Sequence, residues 1–339
     1  MSLQLLAWEP PALGGAVSID GDLRWIRLPV PGPLQHINVW LAPGRERRVL
    51  IDTGLNQPET QAAWDALAVS EHLGEQLEAI IVTHHHPDHF GMAASLALRF
   101  QVPVRMSEPA RAAALRSTSR AIGIAPGSLQ EYRERWGVDF EALVSRARAG
   151  GTFDKLISGI PAEAPFITEG ERLPELRDPW HASLHFGHAE GHVCLHWHEA
   201  ALLISGDQLL PGISSNVSLY PGAASSDPLA DFLASLERLG QLPDETIVLP
   251  SHGQPFRGAA MLAAQLLAGH EQRLGRLREC ASEPRSTAEV VSALFGARNL
   301  EGWNSLLAYG ETLAHIQYLH TRGGLTRLAQ GEEVRWLRT

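Results

Sequence analysis

Four residues that can bind metal ions follow one apolar segment of the chain. The run Leu77–Thr83 has the length and composition of a buried strand, and His84, His86, Asp88 and His89 come directly after it. Alternate side chains of an extended segment lie on one face, so His84 and His86 can contact one cation. Asp88 and His89, in the turn that follows, can reach a second cation, and this ligand set suits zinc, manganese or iron. The spacing predicts a metal centre here, in preference to a solvated histidine-rich loop.

The elements around this motif alternate between strand-like and helix-like patterns. Before and just after the motif, the sequence predicts strands at Gln35–Ala42, Arg48–Asp52 and Val102–Met106, and helices at Glu59–Leu73 and Gly91–Arg99. Later it predicts strands at Trp180–Phe186, Val193–His198, Ala201–Ser205 and Thr246–Leu249, and a helix at Asp227–Leu239. This alternation predicts an α/β fold in which strand ends and helix starts carry the chemistry.

Two segments depart from this alternation. Residues from about 107 to 159 contain three helix-like stretches, Pro109–Ser119, Ser128–Trp136 and Phe140–Ala149, and predict a helical insertion. From residue 257 the chain is mainly helical, with segments at Ala259–Cys280, Thr287–Phe295 and Glu311–Thr321, and it closes with a two-stranded ribbon. We therefore predict a catalytic domain at 1–256, which includes the insertion, and a winged-helix-like module at 257–339.

The roles of these two segments are less closely defined by their sequence. An insertion of this length predicts either a lid that forms part of the substrate-pocket wall or a purely structural excursion. The C-terminal module has nine Arg against eight Glu from Glu271 onward, which is too balanced for a strong DNA-binding prediction. Its apolar helix and its aromatic residues favour packing or a homodimer instead; the aromatic residues are Trp303, Tyr309, Tyr318 and Trp336.

Composition narrows the class of protein. Hydrophobic residues make up 44% of the 339 residues and charged residues 19%, which excludes a disordered or fibrous chain. The formal net charge of −10 disfavours nucleic acid and anionic membranes as partners, although a local basic groove stays open. No apolar run is long enough to span a bilayer, and two cysteines, Cys194 and Cys280, cannot build a disulfide framework. We expect a cytoplasmic protein without a signal peptide and with a small-molecule substrate.

Five segments together resemble the metallo-β-lactamase superfamily. Residues 84–89 are similar to its H-x-H-x-D-H signature, and the other four occur in family order between about Gln35 and Pro255. These four are Val49-Leu50-Ile51-Asp52-Thr53-Gly54, Phe186-Gly187-His188-Ala189-Glu190-Gly191-His192, Ser205-Gly206-Asp207 and Leu249-Pro250-Ser251-His252-Gly253. The resemblance implies a four-layer αββα sandwich, with the helical insertion and the C-terminal module added to it.

The resemblance also implies a role for each polar residue of these segments. It assigns two divalent metal ions, most simply Zn²⁺ with Mn²⁺ or Fe²⁺ as alternatives, to seven ligands: His84, His86 and His188 for the first ion, Asp88, His89 and His252 for the second, and Asp207 as a bridge between them. Asp88, Asp52 and His192 are assigned to the catalytic machinery. Asp52 would orient ligands or bind the amides of its own turn, and His192 would bond a carboxylate near the metal or the backbone. Glu190 departs from the family pattern, and its partner stays open.

The reaction follows from this ligand set. Two metal ions would activate a bridging hydroxide, so neither a serine nor a cysteine nucleophile is needed. We predict a metal-dependent hydrolase that acts on a small thioester or ester, since the whole chain resembles hydroxyacylglutathione-hydrolase-like proteins. Three alternatives stay open: a phosphodiester or RNA hydrolase similar to lactamase-β-like endoribonucleases, a mononuclear-iron persulfide dioxygenase, and a non-enzymatic binding or regulatory protein. His86 stands where flavo-diiron proteins usually carry a glutamate, which argues against that class.

Overall fold

The computed structural model describes residues 3–118, 126–148, 153–296, 300–330 and 333–339. Residues 119–125 and 149–152 of the predicted insertion, which include the predicted helix ends Ser119 and Ala149, lie outside the described residues. Within the described ranges the chain forms two six-stranded sheets, a separate three-stranded sheet and α-helices on their faces. None of these helices has both the length and the apolar character that crossing a membrane requires.

The strands and helices are numbered in chain order. The strands are β1 Gln4–Leu5, β2 Ala16–Asp20, β3 Leu23–Pro29, β4 His36–Pro43, β5 Arg48–Ile51, β6 Leu77–Ile81, β7 Val104–Arg105, β8 Trp180–His185, β9 His192–Trp197, β10 Leu202–Gly206, β11 Ile247–Pro250, β12 Phe256–Arg257, β13 Arg285–Ser286, β14 Leu325–Gln330 and β15 Glu333–Arg338. The helices are α1 Pro58–Ser70, α2 Leu73–Gln76, α3 Pro87–Phe90, α4 Ala93–Phe100, α5 Glu108–Thr118, α6 Pro126–Trp136, α7 Phe140–Arg148, α8 Pro228–Leu239, α9 Ala259–Cys280, α10 Thr287–Phe295 and α11 Gly302–Thr321. Short 3₁₀ turns lie at Gly32–Leu34 and Phe153–Leu156.

The two large sheets each combine antiparallel and parallel strand pairs. The first has the order β2-β3-β4-β5-β6-β7, and its strands β5, β6 and β7 are parallel. The second has the order β1-β12-β11-β10-β9-β8, in which β10 and β11 are parallel. Parallel neighbours end at the same edge of a sheet, so the residues after β5 and β6 lie close together, as do those after β10 and β11. These two edges supply the polar residues described below.

A core of large apolar residues joins the two sheets. Trp25 and Trp40 of the first sheet stack with ring centroids 6.0 Å apart, and they are packed with Trp180, Leu195 and Ile204 of the second sheet. All five residues are buried. The outer face of the first sheet is covered by α1 and α4, and α8 and α9 cover the outer face of the second. The four-layer αββα sandwich is therefore confirmed.

The C-terminal module has the element order α9-β13-α10-α11-β14-β15, which is a winged-helix-like arrangement of helices followed by a β-ribbon. Helix α11 begins at Gly302, and the predicted start at Glu311 is wrong because Gly310 lies inside the helix and does not end it. Strand β12 pairs with β11 and continues to Arg257, so it crosses the predicted boundary after residue 256.

The insertion is divided between two packing environments. Ala110 and Ala114 of α5 pack in the core beneath the first sheet. Helices α6 and α7 instead pack against the C-terminal module, where the rings of Trp136 and Trp336 stack 5.6 Å apart. Trp336 is buried, and the three other aromatic residues singled out in the module pack against the same core. They therefore do not supply an exposed aromatic surface for association, and the homodimer stays a prediction.

Candidate metal centre

The residues with predicted metal-site roles come together where strands of the two sheets end. Asp52 follows β5, His84 to His89 follow β6, Asp207 follows β10 and His252 follows β11, while His188 lies in the turn between β8 and β9. Backbone hydrogen bonds tie these ends together, since Val193 N–H donates to the Thr83 carbonyl at 2.8 Å. The two sheets thus present one continuous set of side chains at a shared edge.

His84, His86 and His188 form the first group. The Nε2 atom of His84 lies 3.0 Å from His86 Nδ1 and 3.3 Å from His188 Nε2. The Nδ1 proton of His188 is directed to the Asn216 carbonyl at 2.8 Å, which leaves its Nε2 with a lone pair. Thr83 Oγ1 gives its proton to Asp52 and lies 3.0 Å from His84 Nδ1, so His84 donates there and its Nε2 is also unprotonated. Two lone pairs therefore face each other, an arrangement that a shared cation would stabilise.

Asp88, His89 and His252 form the second group. Asp88 Oδ2 lies 3.3 Å from His252 Nε2 and 3.7 Å from His89 Nε2. The Nδ1 protons point outward, from His89 to Asp52 Oδ2 at 2.7 Å and from His252 to the His36 carbonyl at 2.7 Å. Neither Nε2 atom has a hydrogen-bond partner among the described residues, and each is an acceptor when its ring is neutral.

Asp207 lies between the two groups. Its Oδ2 is 3.5 Å from His188 Nε2, and its Oδ1 is 3.4 Å from His89 Nε2 and 3.7 Å from His252 Nε2. Oδ1 is buried and has no hydrogen-bond partner among the described residues. A carboxylate in this position can contact cations in both groups.

Asp52 and His192 hydrogen-bond to residues of the predicted metal site. The Asp52 carboxylate accepts hydrogen bonds from the backbone and the hydroxyl of Thr83, both at 2.8 Å, and from His89. Thr53 N–H donates to the His89 carbonyl instead, so these contacts agree with the predicted orienting role of Asp52 and not with a bond to that amide of its own turn. His192 Nε2 accepts the backbone N–H of Asp207 at 3.0 Å, which is the backbone partner of the two that the sequence left open.

The open question on Glu190 is also answered by its contacts. Its carboxylate pairs with Arg116 at the end of α5 and accepts the backbone N–H of Ala224. Glu190 therefore does not bond His192, and the pairing offsets its charge beside the centre.

The pKa values reflect how densely these groups are packed. Burial and the neighbouring imidazoles of His89 and His192 hold the pKa of His84 well below its usual value, and burial with His188 does the same for His86. Burial alone would also lower the pKa of His89, but the carboxylates of Asp207, Asp88 and Asp52 raise it well above its usual value. His84 and His86 are thus neutral, whereas the three carboxylates favour a positive charge at His89, a charge that a bound cation would replace.

Several supporting residues were not found from the sequence. Asn216, His36 and Pro250 contribute backbone carbonyls, and a carbonyl carries no side-chain signal. Asn38 is buried and donates to the carbonyls of Pro250 and Gly253, which fixes the loop that carries His252. Of these residues, only Asn38 could have been noticed in the sequence, because it is a polar residue within an apolar strand.

Comparison with known proteins identifies the family. A family model described as the metallo-beta-lactamase superfamily matches residues 32–252, and one described as the metallo-beta-lactamase-like C-terminal domain matches residues 275–339. The chain therefore belongs to the metallo-beta-lactamase superfamily, and it is a hydrolase of that superfamily.

Some relatives match along most of the chain, and others along about three fifths of it. The probable metallo-hydrolase YqjP of Bacillus subtilis (strain 168) is 29% identical over 92% of this chain and 97% of that protein. The acyl-coenzyme A thioesterase MBLAC2 of Gallus gallus is 28% identical over 83% of this chain and 95% of that protein. A hydroxyacylglutathione hydrolase of Albidiferax ferrireducens is 26% identical over 63% of this chain and 61% of that protein. The crystal structure of a beta-lactamase domain protein from Burkholderia ambifaria has 31% identity and a TM-score of 0.87, covering 99% of this chain and 98% of that one.

Proposed function

We propose that the chain is a dinuclear metal-dependent hydrolase that acts on small acyl thioesters. The observation that carries the metal centre is a set of three buried polar atoms without hydrogen-bond partners among the described residues: Nε2 of His89, Nε2 of His252 and Oδ1 of Asp207. Each unpaired buried polar group costs about 1–3 kcal/mol, and a cation removes that cost for all three at once. We assign one ion to the first group and one to the second, with Asp207 between them, and Zn²⁺ suits this set of imidazoles and carboxylates.

The residues of this chain would prepare the centre for hydrolysis. When bound, divalent ions would lower the pKa of a water molecule towards neutrality and polarise a substrate carbonyl. Asp52 and the carbonyls of Asn216 and His36 fix the ligand rings so that each directs a lone pair inward. Hydrolysis then breaks the carbon–sulfur bond of the thioester, and water supplies the hydroxyl of the acid and the proton of the thiol.

The thioester is supported by the relatives and by the charge of the chain. An acyl-coenzyme A thioesterase and a hydroxyacylglutathione hydrolase are both among the relatives. The net charge of −10 disfavours a long polyanion such as RNA. No described feature favours the dioxygenase or the regulatory alternative. A small-molecule substrate and a cytoplasmic location stay predictions.

A substrate panel tests the proposal. Metal-reconstituted protein is assayed with glutathione and coenzyme A thioesters, a lactone, a phosphodiester and a short RNA, with and without a chelator. We expect the highest kcat/KM for a thioester, and we expect the chelator to abolish it. Turnover confined to the phosphodiester or RNA, or iron-dependent oxygen uptake with a persulfide, would contradict the proposal.

A pair of matched variants compares the loss of a proposed metal ligand with the loss of a histidine outside the centre. His86→Ala removes a proposed ligand, whereas His198→Ala changes an exposed histidine that has no assigned role in the centre. We expect His86→Ala to lose more than about 100-fold in kcat/KM, since even partners of ligands cost 10–100-fold. His198→Ala is expected to keep the wild-type rate.

A further inference from the structure

The segment Ser215–Tyr220 lies between the metal centre and the C-terminal module. On the side of the centre, the Ser215 hydroxyl donates to the Asp207 carbonyl, and the Asn216 carbonyl accepts the Nδ1 proton of His188 at 2.8 Å. This one segment therefore holds a residue of the first group and the residue that lies between both groups.

The other side of the same segment is held by α11. Glu311 Oε2 accepts a hydrogen bond from Asn216 Nδ2 at 3.3 Å, and Leu219 N–H donates to the Gly310 carbonyl at 3.0 Å. The approach is close, because a Cβ at Gly310 would lie 2.6 Å from Ser218 Oγ. The segment thus packs directly on the backbone of α11.

The charge of Glu311 is part of this contact. The residue is only 9% exposed, and its Oε1 lies 2.8 Å from Arg273 on α9. A buried carboxylate needs its charge partner and its hydrogen-bond donors, so Arg273 and Asn216 together fix the Glu311 side chain. Two helices of the module are therefore linked to Asn216, whose carbonyl orients His188.

We infer that Glu311 is a positioning residue of the metal centre, acting through Asn216 on His188. The C-terminal module is then a part of the site and more than an appended domain. This inference rests on the proposed function, since it concerns the metal ion assigned to His84, His86 and His188. The acceptor bonded to the outer nitrogen of a ligand histidine sets the orientation of the ring, and its loss commonly weakens metal binding 10–100-fold.

Three variants test this link. Glu311→Ala removes the acceptor for Asn216, whereas Glu311→Gln keeps an oxygen that can accept from Asn216 but loses the charge and the acceptor that faces Arg273. Glu271→Ala is the matched control, because Glu271 is an exposed glutamate on α9 of the same module, paired only with the partly exposed Arg278 among the described residues. Metal affinity is measured by chelator competition, the ligand field by the visible spectrum of the cobalt(II) form, and stability by urea unfolding of the metal-free protein.

We expect Glu311→Ala to bind one of its metal ions about tenfold more weakly and to change the cobalt spectrum. Glu311→Gln should recover most of the affinity, and Glu271→Ala should match the wild type. If folded Glu311→Ala keeps the wild-type affinity and spectrum, the inference is wrong, whatever its effect on stability.

Asn216→Ala keeps the test decisive if Glu311→Ala does not fold. It leaves the backbone carbonyl in place and removes the side-chain bond to Glu311, together with the one that Asn216 Oδ1 accepts from Ser218 Oγ, so the same weakening is expected. Unchanged affinity in this variant would equally refute the inference. A wild-type protein that binds no metal would refute the proposed function itself, which is a different outcome.

Discussion

Asp52 has a backbone conformation that non-glycine residues rarely adopt. Its φ of 63° lies in the left-handed region, where a side chain costs on the order of 1 kcal/mol. In this position its carboxylate accepts three hydrogen bonds, from the backbone and hydroxyl of Thr83 and from His89. The strain is therefore offset by contacts that hold the Nδ1 proton of His89 and direct its Nε2 towards Asp88 and Asp207.

Asp207→Ala is expected to reduce activity and metal content far more than Asp52→Ala. Asp207 places oxygens near both histidine groups, whereas Asp52 only orients His89. Asp52→Ala should cost 10–100-fold in metal affinity or rate, the usual loss for a partner of a ligand. Metal analysis and kcat/KM of both purified variants check this, and equal retention of metal and rate would show that Asp207 is not the bridge.

Gly206→Ala is expected to weaken metal binding. A Cβ at this position would lie 2.4 Å from Cε1 of His192, whose Nε2 accepts the Asp207 N–H, so either His192 or Asp207 must move. Gly21→Ala is the control, because Gly21 has nearly the same φ, 53° against 52°, and no atom close to the added Cβ. Both variants should lose about 1 kcal/mol of stability from backbone strain, but only Gly206→Ala should change the metal affinity. Equal affinities would contradict the steric account.

Among the elements, α9 and α11 meet through two buried histidines. His270 Nδ1 lies 3.1 Å from His315 Nε2, and the His315 Nδ1 proton is donated to the Glu311 carbonyl at 2.7 Å. Burial lowers the pKa of His270 to about 4 and that of His315 to about 3. Both rings are therefore neutral in the folded protein at pH 7, and their packing helps to position the helix that carries Glu311.

The metal-free protein should lose stability as the pH falls from 6.5 towards 4. The unfolded chain binds protons at these two histidines in that range while the folded chain does not, so stability rises with pH there. The His270→Gln/His315→Gln double variant should be less stable at pH 7 but should have a shallower pH dependence, by on the order of 5 kcal/mol for the pair. Urea unfolding at several pH values checks this, with His198→Gln as the exposed control. An unchanged slope in the double variant would contradict the prediction.

At the scale of the whole molecule, the sequence predicted the sandwich and the polar residues of its edge but not how the module contacts them. The motif at 84–89 is a local pattern whose spacing predicts a metal site, whereas residues 188, 207 and 252 were assigned through the resemblance to the family's motifs. Strand β3 was not predicted, because both of its faces are apolar. Trp25 packs between the sheets, while Ile26 and Leu28 pack beneath α1, so apolar and polar residues do not alternate as they do in a half-exposed strand.

No local sequence pattern predicted the contact between the C-terminal module and the metal centre. The predicted helix began only at Glu311, although Gly310 lies inside α11, where a Cβ would collide with Ser218. The link from Glu311 to His188 runs through the backbone of Asn216, over a long sequence separation. Sequence patterns of one element cannot show a contact of this kind.

The packing of the insertion on the module predicts a large stability cost for Trp336→Ala. This ring is fully buried, stacks on Trp136 of α6 and donates to Thr287 Oγ1 at 3.0 Å. The loss should be about 3–5 kcal/mol, as for other buried tryptophans, and urea unfolding measures it. Leu328→Ala, at a partly exposed position on β14, should cost only about 0.5 kcal/mol. Similar costs for the two variants would show that the module and the insertion do not share a core.

The metal content of the chain tests the central claim most directly. Metal-free protein is reconstituted with saturating zinc or manganese, freed of excess metal by gel filtration and analysed for metal per chain. The two groups around Asp207 predict about two ions per wild-type chain, and about one in His252→Ala, which lacks one member of the second group. A wild-type content that stays at one ion per chain with both metals would contradict the dinuclear centre.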